Sequence, residues 1–233
     1  MNYLVLDFET TGLDPSFHEA CQVSAVFLNQ KFEKYAEFNS QIKPIYPERI
    51  DPEALKIQGK TLNELNNAPK SSDVFRALIQ FSKLNIEPSI IVGHNIAFDL
   101  QFLRKLEENH IETLVRTEKY IDTCIISKIV LQSRKLIPNC KLSTLTSYYE
   151  IEHNAHNADS DANATAKLLH KLYLASPKLI EASINEGVYQ YIIRSAYIIE
   201  PNSSFIKSCE KFLEKNGFLS SKQLLALANI CHQ

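Results

Sequence analysis

The sequence has no Cys-x-x-Cys pair and no cluster of histidine and cysteine at zinc-binding spacing, although it contains five cysteines. An odd number of scattered cysteines favours free thiols in a reducing compartment. An excess of basic residues is also missing, because 25 Lys and Arg stand against 27 Asp and Glu. The chain as a whole therefore lacks the basic field typical of many nucleic-acid-binding proteins, although a local basic groove is compatible with this total.

Apolar runs of membrane-spanning length are absent from the sequence. The N-terminal segment MNYLVLDFE has no basic stretch and Asp7 interrupts its apolar run, which does not fit a secretory signal peptide. These absences predict a cytoplasmic protein without a membrane partner. The 233 residues, 45% of them hydrophobic, suffice for one sizeable domain with an appendage or for two small domains.

The pattern of apolar residues predicts three closely spaced strands, an antiparallel meander, at 2–10, 21–28 and 33–42. Loops that contain proline are predicted around Pro44, Pro47 and Pro52. Two short strands follow at 89–93 and 120–122, and helices are predicted at 72–84, 96–106, 124–132, 142–149 and 159–174. Strands followed by alternating strands and helices predict an α/β fold with a mixed sheet and helices on its faces.

Pro177 marks a predicted boundary between a domain at 1–175 and a small all-helical C-terminal extension at 178–233. In the extension, Gly217 is expected to end a helix, and Ser220-x-x-Gln223 fits a capping box. The charges of the extension are too even to predict a phosphate-binding patch. A helical cap on the first domain is the favoured interpretation. Binding of a protein partner, of a second copy or of nucleic acid is the alternative.

Two acidic residues stand two apart in the first predicted strand, in the segment LDFETTGL. Alternate residues of a strand leave the same face, so Asp7 and Glu9 share one face and Leu6 and Phe8 the other. Adjacent carboxylates on a central strand repel each other and lose hydration unless a cation lies nearby. The pair therefore predicts a divalent-metal site of Mg²⁺ or Mn²⁺ type. The alternative is an edge strand with a solvated face.

Asp99, in the segment VGHNIAFDL, is a third candidate ligand. The segment leaves a short buried strand, turns at Gly93 and enters a helix on which Phe98 and Phe102 are apolar neighbours of Asp99. In one interpretation this position faces a cleft. In the other, Asp99 is an ordinary first-turn acid that interacts favourably with the helix dipole.

The segment EHNAHNADSDANAT contains two histidines and two further acids. Residues three and four positions from Asp161 on a helix are small or apolar, whereas those around Asp159 are polar. Asp161 is therefore predicted to face inward as a ligand, and Asp159 to face solvent as a first-turn acid or helix cap. His170 falls on the same polar side and is predicted to be a surface residue.

Three segments in this order, DFETTGL, GHNIAFD and HNADSD, resemble the motifs of the DnaQ-like (DEDDh) 3′–5′ exonucleases of the ribonuclease H-like superfamily. The third has the H-x-A-x-x-D form of that family, with His156 and Asp161 at its ends. The same spacing from His153 ends on Ala158, which cannot bind a metal, so the pattern favours His156. The resemblance covers roughly residues 1–175.

The resemblance implies a ribonuclease H-like fold, two Mg²⁺ or Mn²⁺ ions, and hydrolysis of phosphodiester bonds at the free 3′ end of a nucleic acid, releasing nucleoside 5′-monophosphates. It implies that His156 is the general base and that four acids hold the metals, namely Asp7, Glu9, Asp99 and Asp161. It further implies contacts with the terminal nucleotide from Thr10, Thr11, Leu13, Asn95 and Phe98. The alternatives are a solvated loop position for His156 and a core position for Phe98.

Residues 48–61 resemble the helix and loop that follow the third strand in this family, with Gln58 where the family often has histidine. Single-stranded DNA is the expected substrate, in DNA repair or proofreading. The alternative is an RNA-trimming or oligoribonucleotide exonuclease. A non-catalytic nucleic-acid-binding module on the same fold would be expected to lack one of the motif acids, and none is missing. A phosphoesterase for small substrates is a third alternative, which a compact cap over the site would favour.

Overall fold

Residues 2–84, 89–111, 113–114 and 116–232 are described by the structure, a computed structural model. The chain divides into two compact units. The first consists of Met1–Asp122 and Glu152–Lys167, and the second of Thr123–Ile151 and Leu168–Gln233. These units do not follow the boundary at Pro177, and the division into domains at 1–175 and 178–233 stays a prediction.

The first unit is built on one mixed sheet of five strands: β1 (Tyr3–Thr10), β2 (Ala20–Leu28), β3 (Lys34–Gln41), β4 (Ser89–Gly93) and β5 (Arg116–Asp122). Their order across the sheet is β3-β2-β1-β4-β5. The first three strands pair antiparallel, as the meander predicted, whereas β4 runs parallel to both β1 and β5. The predicted mixed sheet is thus confirmed, with β1 in its centre. Strand β5 begins four residues earlier than the apolar pattern indicated.

The helices follow in chain order, and their bounds are α1 (Pro52–Gln58), α2 (Leu62–Asn66), α3 (Ser71–Lys83), α4 (Ala97–His110), α5 (Thr123–Ser127), α6 (Leu142–Tyr148), α7 (Ala158–Ala175), α8 (Pro177–Asn185), α9 (Val188–Ile199), α10 (Ser204–Asn216) and α11 (Ser221–Cys231). A 3-10 turn at Pro47–Arg49 precedes α1, and a π-helical turn at Lys128–Gln132 continues α5. Among the described residues, no helix has the length and apolar character needed to cross a bilayer.

Helix α1 corrects the prediction of a loop around Pro52. Proline is tolerated in the first turn, where its missing N–H would have no helical partner. The side chain of Asp51 accepts a hydrogen bond from Glu53 N at 3.0 Å, and Gly59 ends the helix in the left-handed conformation. Helix α1 is therefore defined by a proline in its first turn, an acidic N-cap and a glycine beyond its end. The family resemblance of residues 48–61 had implied such a helix.

One face of the sheet packs against α3 and α4. Leu4, Leu6 and Phe8 of β1 lie in one hydrophobic cluster with the apolar side chains of these helices. The helical members of that cluster are Val74, Phe75, Leu78, Ile79, Leu103 and Leu106. Because side chains alternate along a strand, Asp7 and Glu9 leave the opposite face of β1. The core thus forces the two acids to the other side of the central strand.

The second unit is helical in the part that the structure describes, as predicted for the C-terminal region. Gly217 ends α10 in the left-handed conformation. Ser220 and Gln223 form the predicted capping box at the start of α11, where each side chain pairs with the other residue's backbone N–H.

Candidate active site

Asp7 and Glu9 are half-buried side chains of β1, and Leu6 and Phe8, which alternate with them along the strand, are buried in the core. Asp161 reaches the same place from the first turns of α7. One carboxylate oxygen from each of Asp7, Glu9 and Asp161 lies within 4.8 Å of the others. The structure therefore brings Asp161 from a distant part of the sequence to the neighbouring pair Asp7 and Glu9, as the motifs predicted.

Asp99 lies beside this cluster in the first turn of α4 and is buried. Its Oδ1 accepts a hydrogen bond from Phe8 N at 2.9 Å, which attaches the helix to the central strand between Asp7 and Glu9. Its burial and this hydrogen bond rule out the alternative of an ordinary first-turn acid at the helix surface. Asp99 does not belong to the group of oxygens within 4.8 Å, so its contribution to a metal site stays a prediction.

The pKa values of Asp7, Glu9 and Asp99 are raised by their surroundings. Burial holds the pKa of Asp7 well above its usual range, and the neighbouring carboxylates, led by Asp99, raise it further. Burial likewise raises the pKa of Glu9 to about 7, and that of Asp99 to about 7 despite the Phe8 N–H that lowers it. Such a cluster favours either protons or bound cations, because four adjacent negative charges would otherwise repel one another.

Lys60 is a cation near the cluster that the motifs did not indicate. Its Nζ donates to Oε1 of Gln22 at 2.7 Å, and Gln22 lies directly opposite Glu9 in the register of β1 and β2. Burial dominates the raised pKa values of Asp7 and Glu9, and the ammonium of Lys60 opposes the rise in both. Sequence spacing held no signal for this residue, because Lys60 reaches the site only through the tertiary fold.

Asp122 is a second residue that the motifs missed. It is buried at the end of β5, opposite Gly93 in the register with β4. Its Oδ1 accepts a hydrogen bond from Asn95 N at 3.1 Å, and its charge contributes to the raised pKa of Asp99 after the larger effect of burial. The sequence feature that could have indicated Asp122 is its position at the carboxyl end of a parallel strand, where functional sites commonly form in α/β folds.

His153 and His156 approach Asp161 in different ways. Nε2 of His153 is hydrogen-bonded to Oδ1 of Asp161, and the side chain of His153 is only 6% exposed. His156 is exposed, and its backbone N–H donates to Oδ2 of the same carboxylate at 3.2 Å. The imidazole on the carboxylate is thus that of His153, which the motif spacing did not select. The assignment of His156 as general base stays a prediction.

Asp159 is an acid in the first turn of α7, as predicted, but it is half-buried rather than turned fully to solvent. Asn163 Nδ2 donates to Oδ1 of Asp159 at 3.2 Å and to Oε1 of Glu37 at 2.6 Å. Lys34 Nζ donates to Glu37 at 3.0 Å and to Asn163 at 3.0 Å. This polar network joins α7 to β3. His170 is exposed, in agreement with its predicted surface position.

The residues after β1 form a loop held by backbone hydrogen bonds. Thr11 N donates to Glu19 O at 2.8 Å, and Asp51 N donates to Thr11 O at 2.8 Å. Thr10 is held by Gln58, whose Nε2 donates to Thr10 O at 2.8 Å. Leu13 projects from this loop and is 81% exposed. A large apolar side chain held out in this way has free surface for contact with another molecule.

Asn95 and Phe98 lie near the start of α4. Asn95 is exposed and has a left-handed backbone with φ of 65°. Phe98 is half-buried, with its ring centroid 5.0 Å from that of Phe102. Phe98 is thus partly accessible rather than a full member of the core. Nucleotide contacts by these two residues and by Thr10, Thr11 and Leu13 stay predictions.

A family model described as "Exonuclease" (RNase_T) matches residues 4–169, which include all the acids and both histidines of this site. The chain belongs to this exonuclease family. Membership confirms the DnaQ-like resemblance inferred from the three motifs. The matched residues also include the loop after β1 and the segment around α1.

Similar sequences occur as parts of much longer proteins. The chain is 34% identical over 166 residues to the PolC-type DNA polymerase III of Thermotoga maritima, which covers 71% of this chain and 11% of that protein. It is 33% identical over 171 residues to the 3′-5′ exonuclease DinG of Staphylococcus aureus, covering 72% of this chain and 18% of that protein. The chain therefore spans less than a fifth of the length of these curated relatives.

A solved structure of E. coli exonuclease I in complex with a dT13 oligonucleotide is similar with a TM-score of 0.66. The match has 22% identity and covers 77% of this chain and 42% of that chain. At this identity the likeness shows the fold, and it confirms the predicted ribonuclease H-like mixed sheet flanked by helices.

Proposed function

We propose that this chain is a metal-dependent 3′–5′ exonuclease that removes nucleoside 5′-monophosphates from single-stranded DNA. The convergence of Asp7, Glu9 and Asp161 within 4.8 Å, in a member of the exonuclease family, carries the proposal. The direction of digestion is suggested by the relative named 3′-5′ exonuclease DinG. The choice of single-stranded DNA is suggested by the oligonucleotide in the similar E. coli exonuclease I structure.

The donor set of the site fits divalent cations that prefer oxygen. The converging side chains are all carboxylates, which suits Mg²⁺ or Mn²⁺ better than zinc. Asp7, Glu9 and Asp161 would hold the cations, with Asp99 beside them. When bound, two such cations offset the charge that develops on the phosphoryl group and lower the pKa of a water molecule.

His156 has the chemistry of a general base in this proposal. An imidazole nitrogen of His156 accepts a proton from the attacking water while the water oxygen forms a bond to phosphorus. The bond between phosphorus and the 3′ oxygen breaks and that oxygen takes a proton from solvent water, so a nucleoside 5′-monophosphate leaves and the shortened strand has a 3′-hydroxyl. The exposed position of His156 in the loop before α7 leaves its side chain free to reach a bound strand.

The other residues of the site position the strand and the carboxylates. Thr10 and Thr11, whose backbone is held by Gln58, Glu19 and Asp51, follow Glu9 directly and would lie beside the terminal nucleotide. Leu13, 81% exposed, would pack against the terminal base. Phe98 would offer part of its ring for stacking. His153 orients Asp161 through the hydrogen bond to Oδ1.

End-labelled single-stranded DNA and RNA, digested in the presence of Mg²⁺, test this proposal. The wild type should shorten DNA from the 3′ end, one nucleoside 5′-monophosphate at a time. Asp7→Ala should lose at least about a thousandfold in rate, because it removes a central metal ligand. Asp73→Ala, which removes an exposed acid of α3, is the matched control and should retain wild-type activity.

Four outcomes would overturn the proposal or redirect it. Equal activity of the wild type and Asp7→Ala would show that the acidic cluster does not catalyse hydrolysis. Loss of label from the 5′ end alone would contradict the direction. Binding of oligonucleotides without hydrolysis would support the non-catalytic alternative, and digestion of RNA in preference to DNA would support the RNA-trimming alternative.

A further inference from the structure

Arg49 joins two exposed aromatic rings on the surface of the first unit. Its guanidinium carbon lies 4.0 Å from the ring centroid of Tyr46 and 5.3 Å from that of Phe17. Phe17 is 48% exposed and Tyr46 is 42% exposed. The rings come from different segments, the loop after β1 and the 3-10 turn before α1. Cation–π contacts of this kind hold the two segments together while leaving ring surface open to solvent.

This aromatic cluster, defined by Phe17, Tyr46 and Arg49, is attached to the end of β1. The hydrogen bonds of Thr11 with Glu19 and Asp51 link the two segments that carry it. Tyr46 N also donates to Oε2 of Glu19 at 2.9 Å. Thr11 lies two residues after Glu9, which is about 7 Å along an extended chain. The aromatic cluster is therefore anchored to the same backbone that carries the acidic cluster.

Charges of both signs surround the aromatic cluster, with Glu19 and Glu48 among the cations Lys43, Lys105 and Arg49. Lys43 and Lys105 line a narrow cleft beside Glu19 and Ile45. Lys105 Nζ donates to His18 O at 2.9 Å, next to Phe17. Nε of Arg49 lies 4.0 Å from Oε1 of Glu48, whose side chain is largely in solvent. Exposed rings interleaved with cations are the surface that single-stranded nucleic acid recognises through stacking and phosphate contacts.

We propose that Phe17, Tyr46 and Arg49 form a second nucleotide subsite, which binds the strand upstream of the 3′ nucleotide that is removed. A base stacks on the open face of Phe17 or Tyr46, and the guanidinium of Arg49 contacts a phosphate. The subsite deepens the proposed function and rests on it, because it assumes that a nucleic-acid strand enters the acidic cluster with its 3′ end. The occupant of this subsite is single-stranded nucleic acid, which suits a surface of exposed rings and a guanidinium.

Binding measurements separate the subsite from catalysis. The full chain with Asp7→Asn, which is expected to bind without turnover, is titrated with fluorescein-labelled oligothymidylate of about twelve nucleotides and with labelled dithymidine. Phe17→Ala and Tyr46→Ala should each weaken binding of the long strand about tenfold, and dithymidine should keep its affinity within about twofold. Arg49→Met should also lower the slope of log Kd against log salt by roughly 0.7, whereas Arg49→Lys should keep that slope.

Tyr148→Ala, which removes a ring of similar exposure in the second unit, is the control and should bind both ligands as the parent does. Unchanged affinity for the long strand in the Phe17 and Tyr46 variants would overturn the subsite. An equal loss of affinity for the long strand and for dithymidine, together with a lower midpoint of thermal unfolding, would also overturn the subsite. The aromatic cluster would then only stabilise the loop. Absence of nuclease activity in the wild type would contradict the proposed function instead.

Discussion

Asp161 contacts two histidines through its two carboxylate oxygens, with Nε2 of His153 on Oδ1 and the backbone N–H of His156 on Oδ2. Only the first contact uses an imidazole. His156 has φ of 65°, a left-handed conformation that costs a non-glycine residue energy. The two histidines therefore have different environments: His153 orients a carboxylate, and His156 leaves its imidazole available to solvent or substrate.

The two histidines should differ in what their removal affects. We expect His156→Ala to lower kcat by about 10²- to 10⁴-fold at saturating metal, because proton transfer loses its base, with little change in metal affinity. His153→Ala should weaken metal binding about tenfold, as loss of a group that orients a ligand does, and kcat at saturating metal should change little. Single-turnover kinetics and titration with Mn²⁺ followed by electron paramagnetic resonance measure the two quantities separately. The reverse pattern would identify His153 as the base.

The positions of Asp7, Glu9 and Asp161 follow from simple periodicities. A period of two in β1 places Asp7 and Glu9 on one face, and the helical period in α7 separates Asp161 from Asp159. Both depend only on near neighbours in the chain, so the sequence suffices. The imidazole of His153 could not be placed in this way, because residues before α7 have no regular period and the left-handed backbone at His156 redirects the loop.

Long-range contacts account for the remaining differences between expectation and structure. Lys60 and Asp122 reach the site through the loop after α1 and the end of β5, and no local spacing connects them to Asp7. The proline pattern predicted a loop at helix α1, because Pro52 disfavours a helix interior. Pro52 in fact occupies the first turn, where proline is tolerated. The aromatic cluster likewise depends on two segments that meet only in the folded chain.

The stability of the metal-free protein should fall as the pH rises. Glu9 and Asp99, each with a pKa of about 7 in the folded protein, bind protons more tightly there than in the unfolded chain, where the value is about 4. Protons therefore stabilise the fold below the unfolded value, and this stabilisation is lost between about pH 4 and about pH 7. We expect the thermal midpoint in EDTA to decrease over this window, and millimolar Mg²⁺ to remove most of the decrease.

Two variants test the origin of this pH dependence. Glu9→Gln removes one of the titrating groups and should flatten the profile in EDTA, whereas Asp73→Asn, an exposed acid on α3, should leave it unchanged. Lys60→Met removes the cation that opposes the rise in the pKa of Glu9, so the decrease should move to higher pH. A profile that is equally steep in Glu9→Gln would show that other groups control the stability in this range.

Leu13→Ala should weaken substrate binding without affecting the fold. Leu13 is 81% exposed, so its truncation leaves no cavity. Loss of its contact with the terminal base should raise KM for oligonucleotides roughly tenfold, the effect of removing one large apolar contact. Leu84→Ala truncates a leucine that is 79% exposed at the end of α3 and serves as the control. Equal KM values in the two variants would argue against contact between Leu13 and the nucleotide.

The capping box of α11 should contribute measurably to stability. Ser220 Oγ accepts a hydrogen bond from Gln223 N at 3.3 Å, and Gln223 Oε1 accepts one from Ser220 N at 3.0 Å. Ser220→Ala removes the first of these and leaves an N–H of the first turn without its partner, so the free energy of unfolding should fall by about 1 kcal/mol.

Ser203→Ala provides the matched comparison for this cap. Ser203 stands in the same position before α10, but among the described residues its side chain makes no capping hydrogen bond. We therefore expect its replacement to change the free energy of unfolding by less than about 0.5 kcal/mol in urea denaturation. A loss as large as that of Ser220→Ala would mean that serine at this position acts through backbone preference rather than through the capping hydrogen bond.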